Sequence, residues 1–316
     1  MRWTASSRVL TFESALEAVG MPQLTDPRVT RHRAAAQPAL THGTATSGDG
    51  VPLHFSLYLG ARSDSAGQGI GQRPRVTLIH SFALDGSIWD GLVRQIAPAA
   101  DVLVVDLRGH GKSGLGDPSH FTLGQLAEDL TRVLDQAEWD ATVLAGCSMG
   151  GCIALQFGVS HPDRITGLAL ASTTAYYGST GAAFWSGMAD RGRAEGLAAL
   201  APQLAARWFT DEFRTAQPET VKQLADVFAE TDPRTFEASC RMLGEMDLRL
   251  IVGGIQAPTT ILVGSNDLAT TPAMAAELSE LIADASVTEL TGMRHLFPIE
   301  RPDVLAELLT RAAGRA

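Results

Sequence analysis

Gly146-Cys147-Ser148-Met149-Gly150-Gly151 is the stretch from which the rest of the chain can be read. Ahead of it, Ala141-Thr142-Val143-Leu144-Ala145, bounded by Asp140 and Gly146, predicts a buried strand. Behind it, Met149 to Ser160 sets Ile153, Leu155, Phe157 and Val159 among small residues and predicts a helix. Gly-x-Ser-x-Gly between a strand and a helix is a nucleophile elbow. Its turn is so tight that the serine backbone is strained, and glycines at 146 and 150 remove Cβ atoms that would collide. The turn lifts the Ser148 hydroxyl clear of the sheet. It also puts the Met149 N–H in the first helical turn, where amides are unpaired and the dipole favours negative charge. The bland alternative is an ordinary strand-to-helix turn packed with small residues, so the surrounding chain has to decide.

Outward from the elbow, the chain alternates strands and helices. Val76-Thr77-Leu78-Ile79-His80 and Val102-Leu103-Val104-Val105-Asp106 precede it as apolar strands, and Ile165 to Ala171 follows. Between them, Thr122 to Gln136 carries Leu123, Leu126, Leu130, Val133 and Leu134 at helical spacing. A hairpin with Gly48-Asp49-Gly50 at its turn spans Thr44 to Leu59, followed by a Gly/Ser-rich loop, Gly60 to Gly71, read as mobile. The alternation stops at Ser172 and resumes with Thr259-Thr260-Ile261-Leu262-Val263, a helix from Pro272, the strand Ser286 to Leu290 and a last helix from Pro302. Near-continuous apolar strands alternating with helices predict an α/β protein: a mostly parallel, twisted sheet covered by helices on both faces. The Ala-rich stretch between is read as an inserted helical cap. The expected organisation is an N-terminal arm at residues 1–40, a core of residues 41–171 and 250–316, and a cap at 172–249. In the arm, Thr11 is a candidate cap for a short helix bearing Phe12, Ala15, Leu16 and Val19, which would dock on the core or on a second subunit.

A serine hydroxyl needs a base, and the base an orienting acid. Sites in such sheets gather at the carboxyl ends of strands. One acid and one histidine stand there downstream of the elbow: Asp267, in Gly264-Ser265-Asn266-Asp267, and His295, in Thr291-Gly292-Met293-Arg294-His295. The order Ser148, Asp267, His295 is the one a nucleophile-elbow sheet uses. Asp106 precedes the nucleophile, and the loop after Ala171 offers no acid. Taken singly, Asp267 reads as a turn carboxylate and His295 as a loop histidine; the joint order selects them. For the two oxyanion donors the candidates are the backbone N–H groups of Met149 and Phe82. His54 reads as a strand residue and His110 as a brace between two glycines.

The 316 residues, 45% hydrophobic and 19% charged, can bury a sizeable core. With 35 acidic against 25 basic residues the net charge is -10, which argues against nucleic-acid or anionic-membrane partners and leaves a small molecule. Cys147, Cys152 and Cys240 form no disulfide framework and lack metal-ligand spacing. No stretch reaches the roughly 18 apolar residues of a membrane span, and the first residues lack a signal-peptide core, so the expectation is a cytoplasmic enzyme without metal or redox cofactor.

Together His80-Ser81-Phe82, Asp106-Leu107-Arg108-Gly109-His110-Gly111-Lys112-Ser113, the elbow, Gly264-Ser265-Asn266-Asp267 and Arg294-His295 resemble the α/β-hydrolase superfamily over roughly residues 44–316. Within it, Arg207-Trp208-Phe209-Thr210, Thr231-Asp232-Pro233, Met246-Asp247-Leu248-Arg249 and Ile299-Glu300-Arg301-Pro302 resemble the cap and tail of 3-oxoadipate enol-lactonases. The resemblance implies Ser148 as nucleophile, His295 as base, Asp267 as its acid, and opening of a lactone through an acyl-serine. Two departures concern substrate: the arm, and Tyr176 where that family has a tryptophan. Tyr176, Trp185, Trp208 and Phe209 are the candidate substrate contacts, against the plainer reading of cap aromatics as cap core. They would also suit a larger aromatic macrolactone of the zearalenone type, for which related bacterial lactonases exist. Carboxylesterase, carbon–carbon bond hydrolase and perhydrolase chemistry use the same three residues, and a hydrolase-derived small-molecule receptor is the non-enzymatic alternative.

Overall fold

A parallel strand covered on both faces has no polar side to show, and the central strands of this chain obey that rule. The computed structural model describes residues 10–11, 38–60 and 73–313. Among them nine strands form one sheet: β1 (Leu10–Thr11), β2 (Ala39–Thr46), β3 (Pro52–Leu59), β4 (Arg75–Ile79), β5 (Asp101–Val105), β6 (Thr142–Cys147), β7 (Ile165–Ala171), β8 (Thr259–Gly264) and β9 (Ala285–Leu290), in the order β1-β9-β8-β7-β6-β4-β5-β3-β2. Every residue of β6 is buried, as are all but the first of β4 and β5. β2 and β3 are antiparallel, β3 is antiparallel to β5, and the remaining pairs are parallel.

The helices cover the sheet as the apolar spacing predicts. Asp90–Ile96 packs with Pro302–Ala313, which also meets β4, β6 and β7, and Leu123–Gln136 packs with Met149–Ser160. Thr122 caps Leu123–Gln136, its hydroxyl accepting from the Gln125 N–H at 3.2 Å. That helix buries Leu126, Leu130, Val133 and Leu134, and with them Asp129. The charge is matched. The fully buried Arg108 forks onto Asp129 (Nε–Oδ2 2.7 Å, Nη2–Oδ1 2.8 Å) and onto Asp49 at the hairpin turn (Nη1–Oδ2 2.8 Å). Two carboxylates outweigh the burial of this guanidinium and raise its pKa, so it stays charged and ties hairpin to helix.

Between β7 and β8 the chain builds five helices, Gly181–Glu195, Leu197–Trp208, Asp211–Ala216, Pro218–Glu230 and Pro233–Glu245. Gly181–Glu195 packs on Pro233–Glu245, and Leu197–Trp208 on Pro218–Glu230. Edge-on ring contacts run from Trp208 to Phe228 and on to Phe236. Among the described residues no helix is long and apolar enough to cross a membrane.

At the amino-terminal side, Leu10–Thr11 is extended and pairs in parallel with Thr288 and Glu289, while the helix expected after Thr11 falls outside the described residues. The edge of β9 offers unpaired backbone groups that an extended segment satisfies at once. Phe12 to Gly20 and the loop 61–72 lie outside the described residues. The hairpin itself begins at Ala39, ahead of the expected Thr44, because β2 follows β3 along its whole length from Ala39↔Leu59 to Thr46↔Pro52.

Candidate active site

The chain passes from β4 outward to β5 and returns across β4 to β6, so the strand order reverses between β4 and β6. Ligands of open α/β sheets bind beyond the carboxyl ends of strands at such a point. Here stand Ser81 and Phe82 after β4, and Ser148 after β6. Ser148 has φ 54° and ψ -116°, the strained conformation expected of an elbow. A Cβ on Gly146 would run into the Gly150 carbonyl, and one on Gly150 into the carbonyls of Ile79 and His80. The elbow therefore presses backbone to backbone on its neighbours, and only glycine permits it. Thr173 Oγ1 donates to the Ser148 carbonyl at 2.8 Å and pins the turn from the β7 side.

His80 secures the loop on the β4 side. Its Nε2 accepts from the Leu107 N–H at 3.0 Å, and its Nδ1 donates to the Ser81 carbonyl at 2.8 Å. That pattern fits the neutral ring, and burial lowers its pKa accordingly. Its neighbour His110 is held down to about 3 by burial and by His80. Asp106 lies apart from the site, accepting from the Gly86 and Lys112 N–H groups and pairing with His54 at 2.9 Å.

Asp267 and His295 come from the loops after β8 and β9. A Cβ on Gly264 would strike the Met293 carbonyl, so these loops touch through their backbones. Three side chains 28 and 147 positions apart become one chain: His295 Nδ1 is 2.8 Å from Asp267 Oδ2, and His295 Nε2 is 3.0 Å from Ser148 Oγ. Asp267 Oδ1 accepts the N–H groups of Ala269 (2.8 Å) and Thr270 (3.0 Å), and Oδ2 accepts the Thr270 hydroxyl (2.9 Å). Burial pushes this carboxyl up, but the charge and hydrogen bond of His295 and the two amides outweigh it, and the pKa falls to about 2. An ionised Asp267 only accepts, so the His295 proton sits on Nδ1 and Nε2 turns its lone pair to the Ser148 hydroxyl. The arrangement can take a proton from Ser148.

A cavity of about 210 Å³ opens above these residues, lined by Ser81, Phe82, Ser148, Tyr177, Phe184, Trp185, Trp208 and His295 among others. The Phe82 side chain is therefore a wall, while its N–H and that of Met149 stand on either side of the β4–β6 boundary. Of the four aromatic contacts expected, Trp185 and Trp208 line the cavity. Tyr176 and Phe209 do not. Tyr176 is half-buried under Arg249, whose guanidinium carbon lies 3.8 Å from its ring centroid, and its backbone bridges to Asp247. Phe209 is wholly buried, stacked on Phe213 at 5.2 Å, because the chain leaves the helix Leu197–Trp208 there and turns its ring into the insertion's core.

The sequence reading passed over Tyr177, Arg207 and Thr270. Tyr177 is one step from the tyrosine singled out, and nothing in a two-residue repeat says which ring points inward. Thr270 carried a usable signal: Asp267 followed by Ala269 and Thr270 ahead of Pro272 is the pattern of a carboxylate that caps its own loop.

The family model described as alpha/beta hydrolase fold matches residues 74–302. The chain belongs to that family. It is 28% identical over 253 residues to 3-oxoadipate enol-lactonase 2 of Acinetobacter baylyi, covering 79% of this chain and 93% of that protein. It is 26% identical to the pimeloyl-[acyl-carrier protein] methyl ester esterase of Aeromonas hydrophila, over 77% of this chain and 97% of the relative. Among solved structures, the enol-lactonase from Burkholderia xenovorans superposes with a TM-score of 0.76 at 31% identity, covering 85% of this chain and 99% of that one. This alpha/beta hydrolase thus shares its fold with proteins named for ester and lactone substrates.

Proposed function

We propose that this protein is a carboxylic ester hydrolase that opens a small lactone through an acyl-Ser148 intermediate. The observation that carries the reading is the hydrogen-bonded chain Ser148–His295–Asp267 on the floor of an apolar cavity. His295 Nε2 takes the Ser148 proton as Oγ attacks the ester carbonyl. The Phe82 and Met149 N–H groups receive the oxyanion. When the ester C–O bond breaks, the leaving oxygen takes the proton from His295. In a lactone that oxygen stays tethered to the acyl group. Water, deprotonated by His295, then releases a hydroxy acid, or a keto acid from an enol-lactone. No metal or redox cofactor enters these steps.

The relatives' names support an ester or lactone bond. The cavity, about 210 Å³ against roughly 300–1,000 Å³ for drug-sized ligands, favours an enol-lactone or another small ring over an aromatic macrolactone of the zearalenone type. The five helices between β7 and β8 act in this proposal as a cap, and the enzyme works in the cytoplasm. Self-association through residues 1–40 is a separate proposal; deleting them and finding the mass in solution unchanged would sink it.

The test is turnover of a panel holding an enol-lactone, simple lactones, an aromatic macrolactone and nitrophenyl esters, beside Ser148→Ala. The expected result is one small lactone standing out in kcat/KM and an inert variant. Activity confined to simple esters points to a general carboxylesterase, and activity retained by Ser148→Ala refutes the mechanism.

A further inference from the structure

Among the polar side chains of the cavity that the mechanism above leaves without a task is the phenol of Tyr177. Its hydroxyl stands within hydrogen-bonding reach of the Ser148 hydroxyl and the Cys152 thiol. The ring is closely held. It meets Trp185 edge-on at 5.3 Å, and its Cβ comes so near Gly181 that a Cβ there would lie 2.6 Å away. Its loop is tied to the elbow through Thr173 to the Ser148 carbonyl, and is braced within itself by Thr174 Oγ1, which donates to the Tyr176 carbonyl at 2.8 Å. A hydroxyl held this firmly beside the nucleophile is placed to meet the ester group that Ser148 attacks.

The sheet order says which ligand atom it meets. β6, which carries Ser148, lies between β4, which leads to Phe82, and β7, which leads to Tyr177. Phe82 and Tyr177 thus flank the nucleophile from opposite sides, and both rest edgewise on Trp185, at 5.1 and 5.3 Å. The oxyanion donors occupy the β4 side, so the carbonyl oxygen of an acylating ester turns there. The other oxygen of the ester group turns toward β7.

We propose that Tyr177 donates a hydrogen bond to the ester oxygen that leaves when Ser148 is acylated, at the same atom to which His295 delivers its proton. In that step the bond from Ser148 Oγ to the acyl carbon forms and the ester C–O bond breaks. The electron pair passes to the leaving oxygen, which is protonated from His295 Nε2. Tyr177 keeps its own proton and shares the charge that develops. Burial raises the phenol pKa well above its ordinary value, with Cys152 and Asp267 adding to the rise, so the donor keeps its proton more firmly than a free phenol does. The ligand class this serves is the lactone or ester whose leaving oxygen is a basic alkoxide, since an aryl oxide needs little help. The inference rests on the ester-hydrolysis reading and sharpens it.

The experiment compares the full-length protein with Tyr177→Phe on ethyl butyrate and nitrophenyl butyrate, which share an acyl group and differ in leaving oxygen. A lost hydrogen bond to developing charge is expected to lower kcat about 10- to 100-fold on ethyl butyrate and less than about 3-fold on nitrophenyl butyrate, with KM and thermal midpoint unchanged. Equal losses on both esters, or none, overturn the assignment to the leaving oxygen while the ester-hydrolysis reading stands. Failure of the unsubstituted protein to hydrolyse either ester or any lactone of the panel overturns both.

Discussion

Replacing Asp267 by Asn changes one atom in the buried chain, and the hydrogen bonds around it dictate how the new amide must sit. Oδ1 receives two backbone N–H groups, from Ala269 and Thr270, which can only donate. The amide oxygen must therefore occupy that position, and the NH₂ falls at the other, facing His295 Nδ1 and the Thr270 hydroxyl. Thr270 can rotate its proton away and accept. His295 can accept only by moving its proton to Nε2, where it points at Ser148. The imidazole then offers a proton where a lone pair is required, and the base is gone although every side chain keeps its place. Wrong-tautomer replacements of this kind lower kcat roughly 10,000-fold in serine hydrolases, equivalent to about 5.5 kcal/mol of barrier. The assay is kcat at saturating substrate, with KM and thermal midpoint recorded alongside. A folded Asp267→Asn protein within about tenfold of the parental kcat would refute the tautomer argument.

The same carboxyl makes stability depend on pH. Its folded pKa of about 2 lies below the ordinary 3.8, so its contribution, about 2–3 kcal/mol, is full above pH 4 and vanishes as pH falls through 2. Urea unfolding should therefore show the parent losing its advantage over Asp267→Asn between pH 5 and pH 2, and parallel curves would contradict this. Gly150→Ala sets a methyl group against two backbone carbonyls and should cost roughly 3 kcal/mol along with activity. Gly187→Ala, where nothing lies within 4 Å, should instead gain about 0.5–1 kcal/mol by removing helix-interior glycine; calorimetry on the pair reads both signs. Arg108→Met strands the buried Asp129 carboxylate and should cost about 3–5 kcal/mol in chemical denaturation, and a loss under 1 kcal/mol would mean that Asp129 finds another partner.

The elbow, the alternation of strands with helices and the candidates Ser148, Asp267 and His295 were legible because each follows from a local pattern. Glycines mark the turn, apolar runs mark the strands, and strand ends narrow the search for an acid and a base to Asp267 and His295. Features set by contacts distant in sequence were not. Tyr176 and Tyr177 are equivalent in composition, and only the loop's ties to Ser148 and Asp247 turn one into the cavity and the other under Arg249. Phe209 follows a helix whose apolar stripe ends at Trp208, so its direction depends on how that helix docks. Leu10 and Thr11 add a strand at the free edge of β9, a pairing with residues nearly three hundred positions later that no local pattern announces.

Residues on either side of His295 grip the end of one inserted helix. Arg294 Nη1 donates to the carbonyls of Ala206 (2.7 Å) and Phe209 (2.9 Å), and the Leu296 N–H donates to the Trp208 carbonyl at 2.9 Å. The helix Leu197–Trp208 and the loop that carries His295 are therefore a single mechanical part. A change of selectivity built into Leu197–Trp208, for example by exchanging Trp208, drags on the imidazole and is paid in turnover. Gly181–Glu195 has no such bond to the histidine loop, so its cavity-facing residues Phe184 and Met188 are the places where the specificity of this protein can drift freely.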